Sequence, residues 1–252
     1  LPTVGIINQK GGVGKTTTAV NLAAALAQIR KVLLIDMDPQ ANASSGLGVL
    51  QSENTIYHVL VGGTAARRAV SKTSIPELDL LPASSELAGA AMELDTTADS
   101  MLLLSRALTA VRPNYDFIVV DAPPSLGALT LNALSASDHL IVPLQTEYYA
   151  LEGIASMMDT VERAQGSLNS NITILGILLT MFDRRTNLSR QVEKDVRRHF
   201  GTQVFETVIP RSVRLAEAPS YGQAIFEFAP VSPGAEAYQA LSREVLERVS
   251  QA

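Results

Sequence analysis

Residues 4–8 form a short apolar run that breaks into Lys10-Gly11-Gly12-Val13-Gly14-Lys15-Thr16-Thr17, and a long Ala- and Leu-rich helical pattern starts directly behind it. No other stretch constrains the fold as tightly. Glycines between a strand and a helix let the backbone turn its N–H groups inward, and the helix start adds the positive end of its dipole. A bound anion is the expected consequence. Lys15 can reach the β- and γ-phosphates of a nucleoside triphosphate, and the Thr16 hydroxyl can ligate Mg2+. The general form of such a loop has a glycine at position 9, where this chain has Gln9.

Apolar runs at 4–8, 32–36, 78–81, 117–121, 140–144, 172–181 and 204–209 alternate with helical spacing at 16–28, 100–111, 126–136, 151–165, 188–200 and 234–250. Strands that are apolar on both faces and joined by crossover helices predict a doubly wound α/β fold, a mainly parallel sheet with helices on both faces. The stretch 51–94 is the least patterned, and small helices are expected there around the strand at 78–81. The first helix runs toward residue 32 without a capping glycine, which predicts a tight or irregular connection. Neither a repeat nor a linker divides the chain, and 46% hydrophobic residues suffice for one sizeable core, so 1–252 is expected to be a single domain.

The chain contains no cysteine, which excludes disulfides, thiolate catalysis and Cys-ligated zinc or iron–sulfur centres. Its longest apolar stretches, such as 172–181, fall short of the roughly 20 residues that cross a bilayer. No secretory leader pattern precedes residue 4, so a cytoplasmic protein is expected. The net charge of −5 is unevenly spread. Between residues 184 and 214 eight basic residues face three acidic ones, a local +5 in a chain that is otherwise −10. Such a field suits a polyanion, although charged helix faces are also common on solvated surfaces.

Two strands end in acids. The run at 32–36 closes on Asp36 and is followed by Met37-Asp38, and the run at 117–121 closes on Asp121 ahead of Ala122-Pro123-Pro124. Ligands of open α/β sheets bind at the carboxyl ends of the strands, which places these acids beside the glycine loop. Asp121 can hold Mg2+ through its water shell. Acids at strand ends also serve as helix caps and turn formers.

The lysine before the double glycine, Lys10, makes the loop resemble the deviant phosphate loop of the ParA/MinD family of ATPases. That resemblance implies that Lys10 reaches across a dimer interface to the nucleotide of the other subunit, like an arginine finger in trans. It further implies that Asp38 orients the attacking water, that Asp36 lies near the magnesium shell, and that the Asp121 turn senses the γ-phosphate. The expected catalytic residues are then Lys10, Lys15 and Asp38, and the expected metal site is Thr16, Asp36 and Asp121. Nucleotide contacts are expected from Lys10, Gly11, Gly12, Val13, Gly14, Lys15, Thr16 and Thr17, and from Phe182, Asp183, Pro210 and Arg211.

The stretches 38–48, 147–153, 179–187 and 208–222 are similar to the chromosomal ParA proteins, also called Soj, and Arg185 and Arg214 match arginines with which that group contacts DNA. The resemblance implies ATP and Mg2+ as ligands, slow hydrolysis, an ATP-dependent homodimer and non-specific binding of double-stranded DNA. It also implies a ParB-type centromere-binding partner and a nucleoid-associated location away from the membrane. The nitrogenase iron protein shares the loop but needs cysteines, and MinD needs a basic amphipathic C-terminal helix. In this chain the pattern at 234–250 sets Glu236, Glu244 and Glu247 beside a narrow stripe of Ala237, Leu241, Val245 and Leu246, as in a helix docked on the domain. The alternatives are a MinD-like positioning ATPase and a metabolic ligase resembling dethiobiotin synthetase, which would need a second small-molecule pocket.

Overall fold

The computed structural model describes residues 2–94, 99–147 and 150–251. Its centre is a seven-stranded sheet in the order β3-β4-β2-β5-β1-β6-β7. The strands are β1 (Thr3–Ile6), β2 (Val32–Asp36), β3 (Ser71–Lys72), β4 (Leu78–Leu81), β5 (Phe117–Asp121), β6 (His139–Gln145) and β7 (Thr173–Thr180). Every pairing is parallel except that of β3, a two-residue edge strand antiparallel to β4. The chain leaves β1 for β2 on one side and later reaches β6 and β7 on the other. The carboxyl end of β1 is therefore the switch point at which such sheets open a ligand crevice.

Around the sheet lie α1 (Lys15–Leu26), α2 (Asn42–Gly46), α3 (Ile56–Leu60), α4 (Ala66–Ala69), α5 (Leu87–Glu93), α6 (Leu103–Leu108), α7 (Ala128–Ala136), α8 (Ala150–Ser167), α9 (Asn187–Phe200), α10 (Val213–Glu217), α11 (Ile225–Phe228) and α12 (Pro233–Gln251). Alternation along the strands divides the core between two layers. Leu33, Ile35, Ile118 and Val120 pack with α3 to α8, whereas Val32, Leu34, Phe117 and Val119 pack with α1, α11 and α12. Both faces are covered, as a parallel sheet requires. Because α1 lies between the sheet and α12, all its residues from Thr18 to Leu26 are buried and it carries no polar stripe. Truncating the fully buried Leu22 to Ala would cost about 2–5 kcal/mol through lost transfer energy and a cavity.

Two local expectations are corrected, and one edge strand is added. Residues 204–209 are not a strand: Val204 makes an isolated bridge to Ile177 of β7, and Pro210 one to Phe182 just beyond its end. Between them the N–H groups of Glu206 and Thr207 donate to the Glu244 carboxylate of α12 at 2.8 and 3.0 Å, and Arg248 holds the same carboxylate at 2.9 Å. Charge-assisted bonds of this kind outcompete a neutral ladder bond. The helix expected at 100–111 is α-helical only in α6. It opens as a 3-10 turn at Ser100–Leu102, where Asn132 of α7 accepts the Leu104 N–H at 3.0 Å and donates to the Ser100 carbonyl at 2.8 Å. The edge strand β3 had no sequence signal, being two residues long.

The exit of α1 is irregular, as expected. Gln28 N–H bonds back only three residues to Ala25, and the Lys31 N–H is taken by the Asp116 carboxylate at 2.8 Å. Small helices flank β4 in the weakly patterned stretch, again as expected. Among the described residues no helix is long and apolar enough to cross a membrane.

Candidate functional site

The loop after β1 is preformed. Gly12 and Gly14 adopt φ of 74° and 88°, the left-handed region that side chains disfavour, and Gly14 caps α1. The loop is braced by the neighbouring strands β6 and β7. Asn8 donates to the Pro143 carbonyl of β6 at 2.8 Å and accepts the Lys10 N–H at 2.9 Å, while the Thr180 hydroxyl at the end of β7 donates to the Val13 carbonyl at 2.8 Å. Lys15 is buried, and its Nζ spans the loop to donate to the Lys10 carbonyl at 2.9 Å. Burial lowers its pKa, against the opposing pull of Asp121 and Asp38.

The three acids converge but differ in their partners. Asp36 and Asp121 are register neighbours at the ends of β2 and β5. Asp36 is fully buried, and its Oδ2 accepts the Ser44 N–H at 2.8 Å and the Ser44 hydroxyl at 2.7 Å while its Oδ1 accepts the Asp38 N–H at 3.1 Å. Those bonds tie α2 to the sheet. Burial nevertheless outweighs them and raises the Asp36 pKa to about 6. Asp38 is buried, and its Oδ1 accepts the Gln40 N–H at 2.9 Å.

Asp121 is fully buried, and neither carboxylate oxygen has a hydrogen-bond partner. Burial first and the charge of Asp36 second push its pKa well above the usual range, with the Thr16 hydroxyl, close by but outside hydrogen-bond geometry, and Lys15 pulling it down. A buried carboxylate without partners is costly unless something satisfies it. Its hard oxygens, the neighbouring Thr16 hydroxyl and the adjacent Asp36 fit a hard divalent cation such as Mg2+. Among the described residues no three His, Cys, Asp or Glu side chains gather into a metal cage. A cation there would keep most of its ligands as water and phosphate oxygens, which is the preference of Mg2+.

Beside Gly14 and Thr17 opens a cavity of about 330 Å3 that Thr180, Pro210, Arg211 and Tyr238 help to line. The Tyr238 hydroxyl of α12 lies 3.2 Å from the Thr18 hydroxyl of α1, which fixes the cavity wall to the helix behind the loop. Of the four residues expected beyond the loop, Pro210 and Arg211 line this cavity. Phe182 and Asp183 face a neighbouring cleft of about 850 Å3 instead. Sequence reasoning missed Thr180 and Tyr238. Thr180 could have been found from its place at the carboxyl end of a parallel strand, whereas nothing local marks Tyr238.

The two arginines expected to meet DNA both have acidic partners. Arg185, 87% exposed, grips Asp183 through Nε at 2.9 Å and Nη2 at 2.8 Å, and these bonds hold the Asp183 carboxyl down to about 2. Arg214 pairs with Glu217 at 3.0 Å and lies over the Phe228 ring. Arg184, Arg190, Lys194 and Arg198 have no ion-pair partner among the described residues. Lys10 pairs with Glu147 at 3.0 Å. Of the stretch at 147–153, Tyr148 and Tyr149 lie outside the described residues.

Comparison with known proteins agrees with this geometry. A family model described as an AAA domain matches residues 2–174. The sporulation initiation inhibitor protein Soj of Bacillus subtilis is 51% identical over 245 residues, covering 96% of this chain and 97% of its own length. The chromosome-partitioning ATPase Soj of Thermus thermophilus is 51% identical over 250 residues, covering 99% of this chain and 97% of its own. Among solved structures, cobyrinic acid a,c-diamide synthase from Mycobacterium smegmatis with bound ATP analog and magnesium superimposes with a TM-score of 0.87. It is 35% identical and covers 99% of this chain and 96% of that one. Half of all residues are shared with the partitioning relatives against about a third with the synthase.

Proposed function

Because the chain belongs to the Soj/ParA family of chromosome-partitioning ATPases, we propose that residues 1–252 act as one domain that dimerises around ATP, holds DNA while ATP is bound and lets go after hydrolysis. The observation that supports this most is a braced anion loop facing a buried Asp121 that has no partner of its own. Phosphoryl transfer asks a protein mainly for positioning and charge neutralisation. Here the N–H groups of Gly11 to Thr17 and the Lys15 ammonium would bind the phosphates, and the cavity at Pro210 and Arg211 would take the base. Thr16 and Asp121, with Asp36 behind them, would hold Mg2+, which when bound neutralises charge on the β- and γ-oxygens. Asp38, buried beside Lys15, would orient the attacking water. Lys10 would complete the other protomer's site.

With a water-orienting residue that is an Asp and a lysine that arrives only on dimerisation, turnover in isolation should be slow. A ParB-type partner would speed it. The basic segment at 184–214 would meet DNA phosphates without reading sequence, in a cytoplasmic, nucleoid-associated protein. A monomer offers few phosphate contacts; a dimer doubles them.

Electrophoretic retardation of unrelated duplexes tests this reading. Retention with ATP and release with ADP are expected, together with hydrolysis that rises when the cognate centromere-binding protein is added with DNA. Equal retention with both nucleotides would overturn the switch.

A further inference from the structure

Lys10 is held more closely than a solvent-facing lysine needs to be. Its N–H donates to Asn8 Oδ1 at 2.9 Å and its carbonyl accepts Lys15 Nζ at 2.9 Å, so its backbone has little freedom. The residue before it is clamped as well. Gln9 donates to the Thr160 hydroxyl of α8 at 2.9 Å and accepts the Ser156 hydroxyl at 3.3 Å, which gives a structural purpose to the missing glycine at that position. What remains free is the Lys10 side chain, and Glu147 takes its Nζ at 3.0 Å. Glu147 is itself anchored in the turn between β6 and α8: its N–H donates to the Gln145 carbonyl at 2.8 Å and its carbonyl accepts the Ala150 N–H at 3.1 Å.

We propose that Glu147 is a positioning residue that keeps Lys10 in reserve on its own protomer, as a counter-ion that must release it before the lysine can serve a second copy of the chain. The inference rests on the reading of Lys10 as a residue that acts in trans. Both partners are 47% exposed, so the pair sits at the surface a second copy would approach, and water can replace either charge's partner as the pair opens. An exposed pair of this kind biases its equilibrium by at most about fivefold. A dimer that opens two such pairs would be disfavoured by up to about 25-fold, enough to keep protomers apart until nucleotide phosphates offer Lys10 more charge than Glu147 does. Gln9 contributes by denying the loop the backbone freedom that a glycine would bring.

The test uses Glu147→Gln in the full chain, which removes the charge and keeps the shape. Mass-spectrometric rates of Lys10 acylation by an amine reagent should rise up to about fivefold in the nucleotide-free variant, with Lys15 unchanged as an internal reference. Raising ionic strength should speed Lys10 acylation in the parent and not in the variant, a response that a packing role would not produce. Light scattering with ATP should show the variant dimerising at several- to about 25-fold lower protein concentration. An unchanged acylation rate overturns the latch whatever the dimer does. Dimerisation that stays the same or weakens also overturns it, the latter showing that Glu147 acts inside the assembled dimer. If Lys10→Ala dimerises and turns over as the parent does, the trans role itself has failed, and the acylation rates still decide whether the pair restrains Lys10.

Discussion

Asp121→Asn keeps the shape of the side chain and removes its charge, and it should stabilise the ligand-free protein while disabling its response to magnesium nucleotide. In the parent both carboxylate oxygens are buried without a partner. An unpaired buried polar group costs about 1–3 kcal/mol and a charged one more; Asn stays polar and loses only the charge, and that excess is assigned a gain of about 2 kcal/mol. For a chain of this length each kcal/mol moves Tm by about 2–4 °C, which predicts a rise of about 4–8 °C. The sign with pH follows from the raised pKa. A carboxyl that binds its proton more tightly folded than unfolded destabilises the fold as pH climbs from about 4 through its folded value, and Asp36, raised to about 6, acts in the same direction. The advantage of Asp121→Asn should therefore be larger at pH 8 than at about pH 5. Mg-ATP at about a hundred times its Kd stabilises by about 2.7 kcal/mol, or roughly 5–11 °C, in the parent, and the variant should lose most of that shift. Scanning fluorimetry at both pH values, with and without Mg-ATP, reads all four quantities. A variant less stable than the parent at the higher pH without nucleotide, or one that keeps the full Mg-ATP shift, would refute the reasoning.

Lys15→Ala should abolish Mg-ATP binding in calorimetry, whereas Asp38→Ala should bind normally and hold ATP without turnover; normal affinity in the first or parental turnover in the second contradicts the assigned roles. Gly176→Ala should cost about 1–3 kcal/mol by overpacking, since its new Cβ would lie 2.6 Å from the Phe205 ring, and nucleotide affinity should not follow Tm downward. Arg185→Ala and Arg214→Ala should each weaken ATP-dependent DNA retention, and each lost phosphate contact should reduce the slope of log affinity against log salt by about 0.9. Retention unchanged in both variants returns the arginines to a solvated surface.

What the sequence displayed were features whose cause is local. A glycine loop between a strand and a helix, apolar runs that end in acids and helical spacing all rest on residues near one another, and they located β1, α1, β2 and β5 and brought Lys15, Asp36, Asp38 and Asp121 to one edge of the sheet. The missing glycine after α1 was read correctly for the same reason. Where a distant residue decides, the local pattern misleads. The β-type composition of 204–209 is real, and the Phe205 and Ile209 N–H groups do reach the Ile177 and Leu179 carbonyls of β7, yet Glu244, on a helix about forty residues later, takes the Glu206 and Thr207 N–H groups between them and breaks the ladder. The helical spacing at 100–111 is interrupted by Asn132 in the same way. Asp36 shows the limit most clearly, because a strand-end acid is equally consistent with a metal shell and with a cap. Its oxygens already carry three hydrogen bonds from Ser44 and Asp38, so it can act on a cation only alongside Asp121, whose oxygens carry none. That difference between two neighbouring carboxylates of the same residue type is set by Ser44, in the middle of a five-residue helix that no periodicity announces. The chemistry of the site was thus legible as a set of residues, and its division of labour was legible only in their partners.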